Sequence, residues 1–225
     1  MVTLKYLGHS SFEVALGSKT ILFDPWLNPS PKEEQRLLAP AHTAEGVKKA
    51  DLVMISHEHF DHFDPADVKR IYEKTFTHMV APQNVFEQLS IPQSRRVVAY
   101  VGDEFNYQGI DIKVVEARHP QSSGAVGYII SDGNQSVYFA GDTYDFFGLS
   151  KIQADVALLP IGGTYTMDMI GALSALSKMR VKHMIPMHYN TFGNIKANPY
   201  EFQKRAMKDS KVQVHVLDIG ETIEL

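Results

Sequence analysis

The stretch Ser56-His57-Glu58-His59-Phe60-Asp61-His62, entered directly from the apolar run Leu52-Val53-Met54-Ile55, constrains this chain more than any other. The apolar run reads as a buried strand. Beyond the stretch, Asp64-Pro65 reads as a helix start: an Asp side chain caps exposed N–H groups, and proline suits the first helical position. The polar side chains therefore sit on a loop at the C-terminal end of a strand, where open α/β sheets place their chemistry. Imidazole and carboxylate are ligands for Zn, Mn, Fe or Ni. His57 and His59 are two apart, so in an extended loop they point to one side and can grip one ion. Asp61 and His62 diverge from that pair and suit a second ion. A lone His would read as a solvated loop residue; three with an Asp at this spacing read as a metal site.

Three further motifs each follow an apolar run: His119 in Ala117-Arg118-His119-Pro120, Asp142 in Ala140-Gly141-Asp142-Thr143, and His188 in Ile185-Pro186-Met187-His188-Tyr189. With Gly8-His9-Ser10 near the start and Pro160-Ile161-Gly162-Gly163 ahead of Thr166-Met167, the chain resembles the metallo-β-lactamase-fold hydrolases. It is most similar to a small branch of metal-dependent hydrolases related to the ascorbate-phosphate lactonases. The resemblance covers nearly the whole chain and is specific for fold and metal, not for substrate.

The resemblance implies that His57, His59 and His119 hold one ion, that Asp61, His62 and His188 hold the second, and that Asp142 bridges them. Zinc is the first expectation, with Mn, Fe or Ni as alternatives. A hydroxide bridging the ions would attack an ester, lactone or phosphoester, with Asp61 orienting it or receiving its proton. Asp24 is expected to support a ligating His from behind; a plain turn Asp is the other reading. His9 is read evenly as pocket-lining or as a structural turn residue. Thr166, Tyr189 and Asn190, with Thr164, flank the proposed rim as candidate substrate contacts. Two divalent ions, two carboxylates and one hydroxide leave about +1, which favours an anionic substrate or a developing oxyanion.

Other readings compete. Flavin-linked di-iron relatives carry Glu at the second motif His; here that position is His59, and Glu58 is out of register. An RNase Z-like phosphodiesterase and a non-catalytic protein retaining the site are the remaining alternatives. The net charge of −4 gives no general grip on nucleic acid. With no cysteine, thiolate ligands and disulfides are excluded. No signal-peptide pattern or membrane-length apolar run is read, so a cytoplasmic protein is expected. Expected partners are a small-molecule substrate and, as an option, further copies of the chain.

The 225 residues fit one domain, 1–225. Strands are expected at Val2–Leu7, Ser11–Leu16 and Thr20–Phe23, with a further short strand ending at Val80-Ala81 before Pro82, and helices at Thr43–Lys49, Asp67–Tyr72 and Val85–Leu89. Asn28–His42, with three prolines, reads as a long loop of the lid or binding type. Trp26 at its root reads as core packing over pocket lining. Period two from Arg96 to Phe139 reads as a β-meander. Met169, Ile170, Leu173 and Leu176 read as one apolar helix face, with Asp168 capping that helix. Ala50–Ile55 and Ala154–Leu159 echo one another, suggesting two similar β/α halves. The fold class expected is α/β: an αββα sandwich of two mixed sheets, helices on both outer faces, metals at one rim. His42, His78, His183 and His215 lie in no ligand pattern and read as structural or surface residues.

Overall fold

Period-two alternation builds the first sheet. In the computed structural model, which describes residues 1–225, its strands are Thr3–Gly8 (β1), Ser11–Leu16 (β2), Lys19–Phe23 (β3), Leu52–Met54 (β4), His78–Ala81 (β5) and Arg96–Val98 (β6). Alternate side chains leave opposite faces of a strand. Ile21, Phe23, Leu52, Met54 and Val80 therefore enter the core between the sheets. Their neighbours Leu22, Val53, Met79 and Ala81 enter a second core on the outer face. There they meet Val68 and Ile71 of helix α1 (Pro65–Thr75) and Val85 and Phe86 of the short α2 (Gln83–Phe86).

The second sheet contains Glu104–Tyr107 (β7), Ile110–Glu116 (β8), Val126–Ser131 (β9), Ser136–Phe139 (β10), Gln153–Pro160 (β11), Arg180–Met187 (β12) and Gln213–Val214 (β13). Its helices are α3 (Met169–Lys178) and α4 (Pro199–Asp209), and Thr222–Glu224 (β14) returns to the first sheet beside β1. The two seven-stranded sheets run β14-β1-β2-β3-β4-β5-β6 and β13-β12-β11-β10-β9-β8-β7. Packed face to face with helices outside, they form the αββα sandwich. Among the described residues, no helix is long and apolar enough to cross a membrane.

The sequence echo is a structural repeat. Strands β1–β3 are antiparallel and β3–β6 parallel, just as β8–β10 are antiparallel and β10–β13 parallel. Asp51 accepts from the Thr20 amide at 2.8 Å, and its counterpart Asp155 accepts from Ser136 at 2.9 Å. Phe23 and Phe139, also counterparts, stack at 4.6 Å where the halves meet.

Several local expectations change. The Val85–Leu89 helix is instead Gln83–Phe86, because Leu89 and Ile91 turn inward to fill the outer core. Thr43–Lys49 contains only a 3-10 turn at Ala44–Gly46. Arg96–Val98 pairs with β5 rather than joining the meander, which begins at Glu104 after a turn in which Asp103 N–H donates to Tyr100. Ile170 is 69% exposed: one residue is about 100° of helix, so it leaves the face that Met169, Leu173 and Leu176 share. The helix starts hold. Asp64 accepts from the Ala66 and Asp67 amides with Pro65 first in the helix, and Asp168 accepts from Gly171.

Candidate metal centre

Strands β1, β3, β4, β8, β10 and β12 deliver the candidate residues at their C-terminal ends, on one rim. His9 follows β1, Asp24 follows β3, the His57–His62 loop follows β4, His119 follows β8, Asp142 follows β10 and His188 follows β12. The amides of His62 and Phe63 both donate to the His59 carbonyl, which closes the loop before α1.

The seven predicted ligands converge as two groups around Asp142. His57, His59 and His119 form one, with His59 Nδ1 3.1 Å from His119 Nε2. Asp61, His62 and His188 form the other, joined by His9. Asp142 Oδ2 lies 3.9 Å from His57 Nε2, 3.8 Å from His119 Nε2 and 3.3 Å from His188 Nε2, while Oδ1 lies 3.0 Å from His62 Nε2.

The outward nitrogens of four rings are engaged, which fixes their tautomers. His59 Nε2 donates to the Gln121 carbonyl and His119 Nδ1 to the Tyr165 carbonyl. His62 Nδ1 donates to Asp24 Oδ2 at 2.7 Å. His57 Nδ1 donates to Ser56 Oγ, whose hydroxyl donates to the same Asp24 oxygen at 2.6 Å; Asp24 Oδ1 accepts from the Ser56 amide at 2.7 Å. Asp24 thus holds one ring of each group from behind. Its carboxyl is fully buried, and burial pushes its pKa up, against the His62 and Ser56 hydrogen bonds.

The residues present fit metal binding. His57 Nε2, His62 Nε2, Asp142 Oδ1 and both His188 nitrogens are buried and without a hydrogen-bond partner. Buried polar atoms rarely stay unpaired. Of these, His57 Nε2, His62 Nε2 and His188 Nε2 face Asp142 at 3.0–3.9 Å without hydrogen-bond alignment, as lone pairs aimed at common points do; His188 Nδ1 points away from them. Burial lowers His57 and His119 and holds both rings neutral. Burial acts the same way on His188, but Asp142 and Asp61 outweigh it and raise that ring to about 9. For Asp61 and Asp142 burial is likewise outweighed, there by the surrounding imidazoles, and both carboxylates lie well below their ordinary range.

His9 is fully buried, with Nε2 3.1 Å from Asp61 Oδ2 and its ring against His188. Burial, then the neighbouring His188, lowers it to about 3, so it stays a neutral ring that braces Asp61. His9, Asp24 and His188 all have positive φ, at 57°, 38° and 55°. Such strain outside glycine clusters at functional sites. Two glycines let the rim close. A Cβ on Gly141 would meet Ser56 Cβ at 2.7 Å, and one on Gly162 would meet the His188 carbonyl at 2.1 Å.

A cavity of about 300 Å³ opens in front of the cluster. Four expected rim residues are not part of it. The Thr166 hydroxyl is used within its own loop, on the Gly163 and Met167 carbonyls. Asn190 has positive φ and turns away, so its carboxamide clasps Ala197 through both N–H and C=O. Tyr189 is buried in the inter-sheet core, and Thr164 donates to the Asn194 carbonyl. In their place the cavity is lined by Phe60, Tyr165, Phe192, Asn194 and Ile195, with Glu34 at its mouth. Phe60 lies inside the motif itself. The others follow His119 and His188 contacts that only the folded loops reveal. Trp26 is buried beneath Phe60 and Phe192, as its core reading required. The long loop does reach the site, through Glu34.

Fold and site together define a metallo-β-lactamase-fold hydrolase. Residues 3–188 match the family model described as "Beta-lactamase superfamily domain". The chain is 35% identical over 236 residues to a "UPF0173 metal-dependent hydrolase" of Thermofilum pendens, covering 100% of this chain and 99% of the relative. It is 34% identical over 239 residues to the Pyrococcus furiosus protein of the same description, covering both chains fully. Among solved structures, Igni18, a metallo hydrolase from Ignicoccus hospitalis, superposes with a TM-score of 0.82 at 34% identity, covering 99% of this chain and 97% of that one. The chain belongs to the UPF0173 metal-dependent hydrolases of the beta-lactamase superfamily, and it is an enzyme of that class.

Proposed function

We propose that this chain, as one domain over residues 1–225, holds two divalent ions and hydrolyses an ester, lactone or phosphoester bond. The observation that carries the reading is the convergence of unpaired, buried ligand atoms into two groups on either side of one carboxylate. His57, His59 and His119 would hold the first ion and Asp61, His62 and His188 the second, with Asp142 shared. This imidazole-rich donor set suits zinc; Mn, Fe and Ni are chemically compatible. When bound, such ions supply a water ionised near neutral pH and polarise the bond attacked.

The chain's own groups do the rest. Asp61, at the cavity edge, orients the attacking water and takes its proton at Oδ2. His9 fixes that carboxylate in place, and Asp24 fixes the ring directions of His57 and His62. The phenyl rings of Phe60 and Phe192 restrict water at one side of the cavity. A nuclease reading is disfavoured by the cavity's size and by its lining, which contains no lysine or arginine.

The test is to strip the purified protein with a chelator and assay lactones, carboxylic esters, phosphodiesters and phosphomonoesters before and after restoring Zn, Mn, Fe or Ni. Activity should vanish on stripping and return with metal. Full activity in the stripped protein, or none on any class after loading, contradicts the proposal.

A further inference from the structure

The cavity has two unlike walls. One is the ligand cluster. The other is Phe60, Tyr165, Phe192 and Ile195. Phe60 and Phe192 lie 6.0 Å apart, and both pack on Trp26, at 6.1 and 5.7 Å. With Ile195 they form a small apolar cluster separate from both main cores. Small satellite clusters under long loops are common; this one also borders the cavity, through Phe60, Phe192 and Ile195. Most of the wall's exposed area is on Tyr165, 48% exposed, and on half-buried Phe60, since Phe192 and Ile195 are buried; apolar area that a ligand covers there gains about 25 cal/mol per Å². At about 300 Å³ the cavity is at the small end of ligand pockets.

Charge sharpens the picture. Among the described residues, no lysine or arginine lines this cavity. Arg36 lies behind Trp26, its guanidinium 3.9 Å from the ring centre and donating to the carbonyls of Leu38 and Trp26. Phosphate and carboxylate ligands are ordinarily met by such cations or by helix N-termini. Outside the ligand cluster, the one ionisable carboxylate at the mouth is Glu34, whose charge repels anions.

We infer, on the hydrolase reading above, that the substrate is a small uncharged carboxylic ester or lactone with a short apolar arm. The arm lies on Phe60, Phe192 and Ile195, and Glu34 selects against anionic substrates. The ion count favours an anion and the cavity lining an uncharged substrate; we follow the lining. In the reaction, the water oxygen bonds to the carbonyl carbon and the acyl C–O bond breaks. The alcohol oxygen leaves with a proton, so no oxidant or reductant is needed.

A matched pair tests this on the metal-loaded enzyme: p-nitrophenyl hexanoate against p-nitrophenyl hydrogen adipate, which share a leaving group and chain length, differ in charge, and are too long for the carboxylate to displace the leaving group readily from within. The hexanoate should have the higher kcat/KM by about tenfold, mainly through KM, as expected for one repulsive charge between the limits of water and protein surface. Glu34→Gln should raise kcat/KM for the adipate and narrow the gap, whereas Glu33→Gln, outside the cavity, should not. Phe192→Ala should reduce kcat/KM for hexanoate more than for acetate. Equal or better turnover of the adipate or of bis(p-nitrophenyl) phosphate by wild type, or an unchanged gap in Glu34→Gln, would overturn the inference. Should no ester turn over, the fluorescence of Trp26, the chain's one tryptophan, reads the same preference by binding. A response to hexanamide and not to adipamate then upholds the pocket's preference while removing the hydrolase reading; the reverse, or no response to either, overturns the preference too.

Discussion

Replacing Asp24 by asparagine should weaken metal binding while leaving the fold in place. Asp24 accepts three hydrogen bonds: Ser56 N–H on Oδ1, and Ser56 O–H and His62 Nδ1–H on Oδ2. Asparagine keeps the shape and tolerates the positive φ of 38° here, as alanine would not. If its carbonyl stays on the Ser56 amide, its NH₂ group faces the His62 Nδ1–H, donor against donor. His62 must then move its proton to Nε2, the atom that faces Asp142 and is needed as a lone pair. Loss of such an outer partner typically costs 10–100-fold in metal affinity, about 1.4–2.8 kcal/mol. Competition with a fluorescent chelator measures it, and the melting temperature of the stripped proteins controls for folding. An affinity within twofold of wild type, in a variant that melts normally, would show that Asp24 is a turn residue and not a support for the ligands.

Asp142→Ala should abolish hydrolysis, whereas Asp168→Ala should cost about 1 kcal/mol of stability through the lost cap and keep its metal; equal activity losses at equal folding would contradict this. His9→Asn, which tolerates the positive φ of 57° but is too short to keep the 3.1 Å ring contact to Asp61, should lower both kcat and retention of the second ion, read by elemental analysis at fixed free metal; unchanged retention would limit His9 to packing. In the stripped protein the His188 pKa is raised to about 9, so its proton stabilises the fold fully below the ordinary value near 6.5 and is lost as pH rises through about 9. Metal must displace that proton. The gap in melting temperature between loaded and stripped protein should therefore be widest near pH 9 and shrink toward pH 6; a constant gap, or one that widens in acid, refutes the assignment.

What was legible in the sequence followed from local rules. Apolar runs gave β4, β8, β10 and β12, and a ligand type just past each run marked His57–His62, His119, Asp142 and His188. Asp24 and Asp168 stood beside recognisable strand and helix ends. Tyr189 and Asn190 lie outside the cavity because His188 and Asn190 take left-handed backbone angles. That turn sends the Asn190 side chain to Ala197 and buries Tyr189. Nothing in a one-dimensional pattern marks such a turn without glycine. The apolar wall was equally hidden: Phe60, Phe192 and Ile195 are ordinary core types, and only the packing on Trp26 shows that they line the cavity. Glu34 was hidden inside a loop whose return to the rim is held by Arg36 on Trp26.

If the two groups around Asp142 are two ion sites, the metal content of the chain is fixed by them. Elemental analysis of protein that has been stripped, reloaded with zinc and desalted should find about two ions per chain, with the second taken up as a distinct step in a calorimetric titration. One ion per chain at saturation, with no second uptake, would contradict it.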